Sequence, residues 1–146
     1  MNYALIPTNK YVFRIQLHSK CKSIPNFCFG IFPKNKREKE FVGYSQMSYC
    51  ERNNDWGISK IIKGRILNGD DYSRFTQKNI EIRVDLARRY LRASSYPGYS
   101  NVAVLDNPSR IEKDETYYFG IYLGRECNSV MIEDVQIVQD FDNRMG

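Results

Sequence analysis

The 146-residue sequence has a single histidine, a single tryptophan, five prolines and no apolar run approaching twenty residues. Crossing a bilayer takes roughly 20 consecutive apolar residues, so no membrane-spanning helix is expected. The stretch Met1-Asn-Tyr-Ala-Leu-Ile-Pro7 has neither the charged head nor the apolar core of a signal peptide. There is no Asn-x-Ser/Thr glycan acceptor, because Asn107-Pro108-Ser109 is barred by its proline. These absences predict an intracellular chain, cytoplasmic or nuclear, with no membrane partner.

The shortage of histidine narrows the chemistry. A Ser/His/Asp or Cys/His nucleophile would have to be built around His18. That residue follows the alternating run Val12, Phe13, Ile15, Leu17 and precedes Ser19 and Lys20, which predicts a surface histidine at a strand end. A multi-histidine metal site is excluded. The cysteines, Cys21, Cys28, Cys50 and Cys127, form no Cys-x-x-Cys pair, so no zinc knuckle is expected. Without an export signal, free thiols are expected rather than a disulfide framework. Cys28, within Asn26-Phe-Cys-Phe-Gly30, reads as a core thiol. The acidic pairs Asp70/Asp71 and Glu133/Asp134 are adjacent. Adjacent strand residues point to opposite faces and cannot serve as paired acid and base without a bend. The expectation is no enzyme, no cofactor and no metal.

What the chain does have is the balance of a globular protein. Hydrophobic residues make up 42% and charged residues 27%, and the length suits one domain with a real core. Eleven tyrosines and eight phenylalanines favour half-buried strands. Tyr11–Leu17 alternates, and Phe27–Phe32 is a continuous apolar run whose internal glycine signals close backbone approach. Phe41–Tyr49 is a further strand; Lys60–Leu67 is ambiguous. Ile80–Leu86 places Ile80, Ile82, Val84 and Leu86 on a core face and Glu81, Arg83 and Asp85 on a polar one. On that pattern Val84→Asp unfolds the domain and Arg83→Asp is tolerated.

Ala87–Ala93 has helical spacing but is short, so a hairpin return is favoured. Ser94–Ser100 is a loop with two exposed tyrosines, Val102–Leu105 a short strand, and Asn107-Pro108 a turn. Tyr117–Leu123 is a strand, and Val130, Ile132, Val135 and Ile137 mark another. About nine short strands separated by turn signals predict an all-β, antiparallel β-sandwich, with a barrel as the alternative. Residues 1–10 read as an N-terminal arm, 11–138 as one domain and 139–146 as a polar tail.

Net charge is +5, and its distribution is regional. Residues 1–111 carry 19 basic and 9 acidic residues, whereas residues 112–146 carry 3 and 8.

Four segments between Tyr11 and Val138 resemble the SPRY domain, a concanavalin-like β-sandwich used mainly for protein recognition. They are Phe29-Gly-Ile-Phe32; Gly43-Tyr44 followed by Tyr49 and Trp56-Gly57; Ile80-Glu-Ile-Arg-Val-Asp-Leu86 with Leu91 returning; and Tyr118-Phe-Gly-Ile-Tyr-Leu123 before a closing strand. The chain departs from the family where Gly69-Asp70 lies ten residues ahead of the third segment, and where Ser94-Ser-Tyr-Pro-Gly98 replaces an Asn-Gly turn. The resemblance implies a buried Trp56 and a non-enzymatic recognition module or scaffold subunit that binds another protein through loops at one end of the sandwich.

Loop tyrosines and arginines are the residue types that most often dominate such interfaces. Lys36, Arg37, Tyr72, Arg74, Tyr96 and Tyr99 are accordingly the candidate partner-binding residues. A nucleic-acid-binding β-domain is the second reading, with Lys60, Lys63, Arg65, Arg83, Arg88, Arg89 and Arg92 as a basic face and tyrosines stacking on bases. Against it, the four arginines straddle the proposed hairpin turn and the last third is acidic. A carbohydrate-binding jelly roll is the third.

Overall fold

The computed structural model describes residues 4–20, 27–34, 42–46, 63–64, 77–105, 107–123 and 128–141. Among them are nine strands: β1 Lys10–Ser19, β2 Phe27–Pro33, β3 Val42–Gln46, β4 Lys63–Gly64, β5 Gln77–Asp85, β6 Tyr90–Ser95, β7 Val102–Val104, β8 Tyr117–Leu123 and β9 Asn128–Val138. A 3-10 turn at Pro108–Arg110 precedes β8, capped by the Asn107 side chain, which accepts from Ser109 N. The described residues are mostly antiparallel β, with no α-helix among them, and every ladder between them is antiparallel. One sheet has the order β4-β7-β6-β5-β1-β9 and the other β3-β2-β8. No helix among the described residues is long and apolar enough to cross a membrane.

The core follows from the alternation. Phe13, Ile15 and Leu17 of β1, Ile80, Ile82 and Val84 of β5, and Leu91 and Ala93 of β6 are buried together with Phe29, Ile31, Val42, Tyr117 and Phe119 of the smaller sheet. The rings of Phe13 and Phe119 stack 4.0 Å apart, so the two sheets share one core. Tyr11 and Tyr117 are buried as well, and each hydroxyl accepts a backbone N–H, from Ile6 and Glu112 respectively. That satisfies the polar tip that would otherwise make a buried tyrosine costly. Leu5 is buried too, held by its N–H donating to Tyr117 O.

The glycine in β2 does mark close backbone approach. Gly30 stands opposite both Gly43 of β3 and Gly120 of β8. A Cβ at Gly30 would run into Val42 O, and one at Gly43 into Phe29 O. At Gly120 the space above the backbone is taken by the Phe32 ring.

The hairpin return is present. β5 pairs with β6 from Ile80↔Ser95 to Asp85↔Tyr90. The turn is held by Arg88 N donating to Asp85 Oδ1, and by Arg89 N donating to Leu86 O, with Arg89 at φ 53°. A fixed partner strand and a side chain that closes the turn outweigh the helical spacing of Leu86, Tyr90 and Leu91.

One expectation is corrected. The polar side of β5 is not an open face: Glu81, Arg83 and Asp85 are 0%, 3% and 4% exposed. The alternation records chemical character correctly but cannot show that later segments fold across the charged side, so Arg83→Asp is not a neutral change.

Candidate functional site

Directly opposed residues of an antiparallel ladder share a face. The buried polar side of the larger sheet can therefore be read row by row. One row runs Val102, Ser94, Glu81, Arg14, Asp134, and the next Val104, Arg92, Arg83, Val12, Gln136. A third contains Tyr90, Asp85, Lys10 and Val138.

Glu81 is the hub. It accepts from Arg14 Nε at 2.9 Å, from Arg83 Nε at 2.9 Å and from the Tyr99 hydroxyl at 2.9 Å. The Glu81 hydrogen bond raises the pKa of Arg14, so that guanidinium stays charged. Asp85 faces Lys10 Nζ at 3.8 Å and Arg88 Nε at 3.9 Å. Two carboxylates thus serve four cations.

The loop after β6 lies over this surface. Tyr99 reaches Glu81 on β5, and the Tyr96 ring sits beneath the Arg14 guanidinium of β1 at 5.4 Å. The Tyr96 hydroxyl then donates to Glu133 on β9 at 2.5 Å. Burial, reinforced by that carboxylate, pushes the Tyr96 hydroxyl well above its ordinary pKa. Tyr99 takes a φ of 52°, costly for a bulky residue and offset by its bond to the buried hub. From the C-terminal side, Phe141 packs on Tyr90 with ring centres 5.6 Å apart and on the Arg83 guanidinium at 5.4 Å.

Of the six residues the sequence singles out, two are therefore placed. Tyr96 and Tyr99 are half-buried rather than exposed, and both spend their hydroxyls inside the chain. Lys36, Arg37, Tyr72 and Arg74 lie outside the described residues, as do Trp56, Cys21, Cys50, Cys127 and the side chain of Cys28. His18 does lie at the end of β1, as its last residue but one, but it is half-buried rather than exposed, its ring near Gln16 Oε1 at 3.2 Å. The hairpin does bring Arg83 and Arg92 to one face, which the sequence argument against a basic face did not expect. They are buried there, so they form no open basic surface.

Glu133 is the residue that sequence reasoning missed. The β1–β9 register passes from Arg14↔Asp134 to Ile15↔Ile132, leaving Glu133 as the extra residue of a bulge. Bulges bend a strand and re-aim a side chain. The signal was present: the apolar positions 130, 132, 135 and 137 carry one spacing of three instead of two. The bend that would be needed to bring Glu133 and Asp134 together therefore exists, but Glu133 accepts from Tyr96 and Asp134 accepts from Gln136 Nε2 at 2.7 Å.

β9 is also the last strand of its sheet, pairing only with β1 among the described residues. Its exposed apolar side chains are Met131 at 49%, Ile132 at 40% and Ile137 at 63%. Elsewhere, a cleft of about 460 Å³ lies between the β5–β6 turn and residues 112–117; its charged walls, Arg89, Glu112, Lys113 and Glu115, are of mixed sign. No group of three or more His, Cys, Asp or Glu among the described residues is placed to hold a metal. Comparison with protein families, with curated proteins and with solved structures returns no match to this chain.

Proposed function

We infer that the chain is a non-enzymatic protein-recognition module, an intracellular scaffold subunit of a larger complex whose two sheets pack as a SPRY-like β-sandwich. The observation that carries this reading is β9, an eleven-residue edge strand with Met131, Ile132 and Ile137 exposed. Long apolar edges invite another strand, and proteins that do not use them normally blunt them with lysine, proline, a bulge or a short edge; the bulge at Glu133 interrupts β9 at one point and leaves residues 135–138 beyond it as regular edge. β9 has no lysine, arginine or proline.

The partner that fits is an extended protein segment adding a strand to β9, with apolar residues alternating with lysine or arginine. Main-chain hydrogen bonds along the edge supply affinity, and side chains on alternate positions supply specificity. The basic requirement follows from Glu133, Asp134 and Asp140, with no basic residue from Asn128 to Phe141. The loop joins the same surface, because Tyr96 is bonded to Glu133. Lys36, Arg37, Tyr72 and Arg74 remain contact candidates in this reading.

The test is co-purification from native extract with a nuclease control, comparing wild type with the double variant Met131→Lys/Ile137→Lys. One protein recovered stoichiometrically by wild type, resistant to nuclease and lost from the variant supports the reading. Recovery abolished by nuclease, or equal in the variant, overturns it.

A further inference from the structure

The cleft between the β5–β6 turn and residues 112–117 holds opposite charges that do not meet. Its volume, about 460 Å³, falls in the range of small-molecule pockets, about 300–1,000 Å³. Arg89 lines it from the turn and Glu115 from the other segment, and both are half-buried. The Arg89 guanidinium has no hydrogen bond or ion pair among the described residues. Glu115 uses only its Oε2, which accepts from Thr116 N at 2.9 Å. The apolar lining includes Pro7 and the nearly buried Leu86 and Tyr117. Glu112 and Lys113 stand exposed beside Glu115, Glu112 with an interaction of its own. With Lys113 and Glu112 counted, the charges of the lining sum to zero.

Arg89 also holds a backbone conformation that disfavours it. Its φ of 53° lies in the left-handed region, which glycine enters without steric cost and long side chains rarely adopt. The turn fixes it there, with Arg89 N donating to Leu86 O at 3.1 Å. Across the cleft, the Tyr117 hydroxyl accepts from Glu112 N at 2.8 Å. Both walls are thus built before a ligand arrives, which lowers the ordering cost of binding.

We propose that this cleft binds a small zwitterion with an apolar body, either an apolar α-amino acid or a short peptide with both ends free. Its carboxylate pairs with Arg89, its ammonium with Glu115 Oε1, and its apolar part covers Leu86 and Tyr117. A guanidinium offers a carboxylate two parallel donors. An anion alone would leave Glu115 unpaired, and a cation alone would leave Arg89 unpaired. Half-exposed charges are screened by water, so the affinity expected is on the order of millimolar. The cleft takes no residue from β9, so its ligand and the edge-strand partner stand or fall separately.

The experiment is thermal unfolding of the intact chain with L-leucine and with leucyl-leucine. The controls are N-acetyl-leucine, which lacks the ammonium, leucine amide, which lacks the carboxylate, and glycine, which lacks the apolar body, all at matched ionic strength. Wild type is expected to show a saturable rise in Tm of about 3–5 °C at ten times Kd with one or both zwitterions, the larger response assigning the ligand as amino acid or peptide. Arg89→Gly removes the cation and suits the φ of 53°, so it is expected to melt close to wild type and lose the response. Glu115→Gln keeps an acceptor for Thr116 N but not the charge, and is expected to lose the response as well. Should Arg89→Gly fail to fold, Glu115→Gln decides alone. No saturable rise with either zwitterion, an equal rise with any of the three controls, or a rise that survives either variant overturns the proposal.

Discussion

The Tyr96 hydroxyl donates to Glu133 at 2.5 Å, joining the loop after β6 to the bulged residue of β9 on the far side of β5 and β1. This contact crosses the charged face and links the loop to the edge strand proposed above for partner binding.

Tyr96→Phe removes the donor and is expected to cost about 0.5–1.5 kcal/mol, the usual range for one hydrogen bond. Its pH dependence is more specific. Because the folded hydroxyl has a raised pKa, it keeps its proton where the unfolded chain has lost it. That contribution is fully present below pH about 10 and is lost as pH rises through the folded value. Denaturant titrations at increasing pH should show wild type losing more stability above pH about 10 than Tyr96→Phe does. Parallel curves would contradict the assignment.

Val84→Asp and Arg83→Asp are both expected to be severe, though for different reasons. The first puts an unpaired charge in the apolar core. The second removes a cation from Glu81 and sets a second carboxylate beside it at a buried position, a loss of about 3–5 kcal/mol. Arg83→Met should be milder than Arg83→Asp. Chemical denaturation separates the three, and an Arg83→Asp variant as stable as wild type would contradict the covered face.

The row Gly43, Gly30, Gly120 gives a graded expectation. Gly30→Ala drives its Cβ into the Val42 backbone, which cannot give way without breaking the β2–β3 ladder. Gly120→Ala meets the Phe32 ring at 2.6 Å, a side chain able to rotate aside. Overpacking typically costs about 1–3 kcal/mol, and Gly30→Ala should be the more damaging of the two in thermal melts.

The sequence made the strands legible because their periodicity is local. The aromatic run Tyr117–Leu123 has the bounds of β8 itself, and the alternation of Ile80, Ile82 and Val84 marks the core side of β5. The cover over the opposite side was not legible. Glu81 is buried by its bonds to Tyr99 and Arg14, which lie 18 and 67 positions away, and no periodicity reports contacts at that separation. The pairing of Arg83 with Arg92 follows from hairpin register, set by a turn that composition leaves open. Polar residues alternating with apolar ones face solvent only where nothing folds over them.

Met131→Lys/Ile137→Lys changes two exposed side chains and is expected to shift stability by less than about 0.5 kcal/mol each. Equal melting temperatures for variant and wild type would confirm that any loss of partner arises at the edge and not from unfolding.

Hydrogen–deuterium exchange on the purified chain, alone and with its co-purified protein, tests the edge-strand claim most directly. Strand addition predicts that amides within Asn128–Val138 gain protection in the complex, because outward N–H groups of β9 acquire main-chain acceptors. A complex in which β9 exchanges as it does in the free chain, with protection gained only elsewhere, would contradict it.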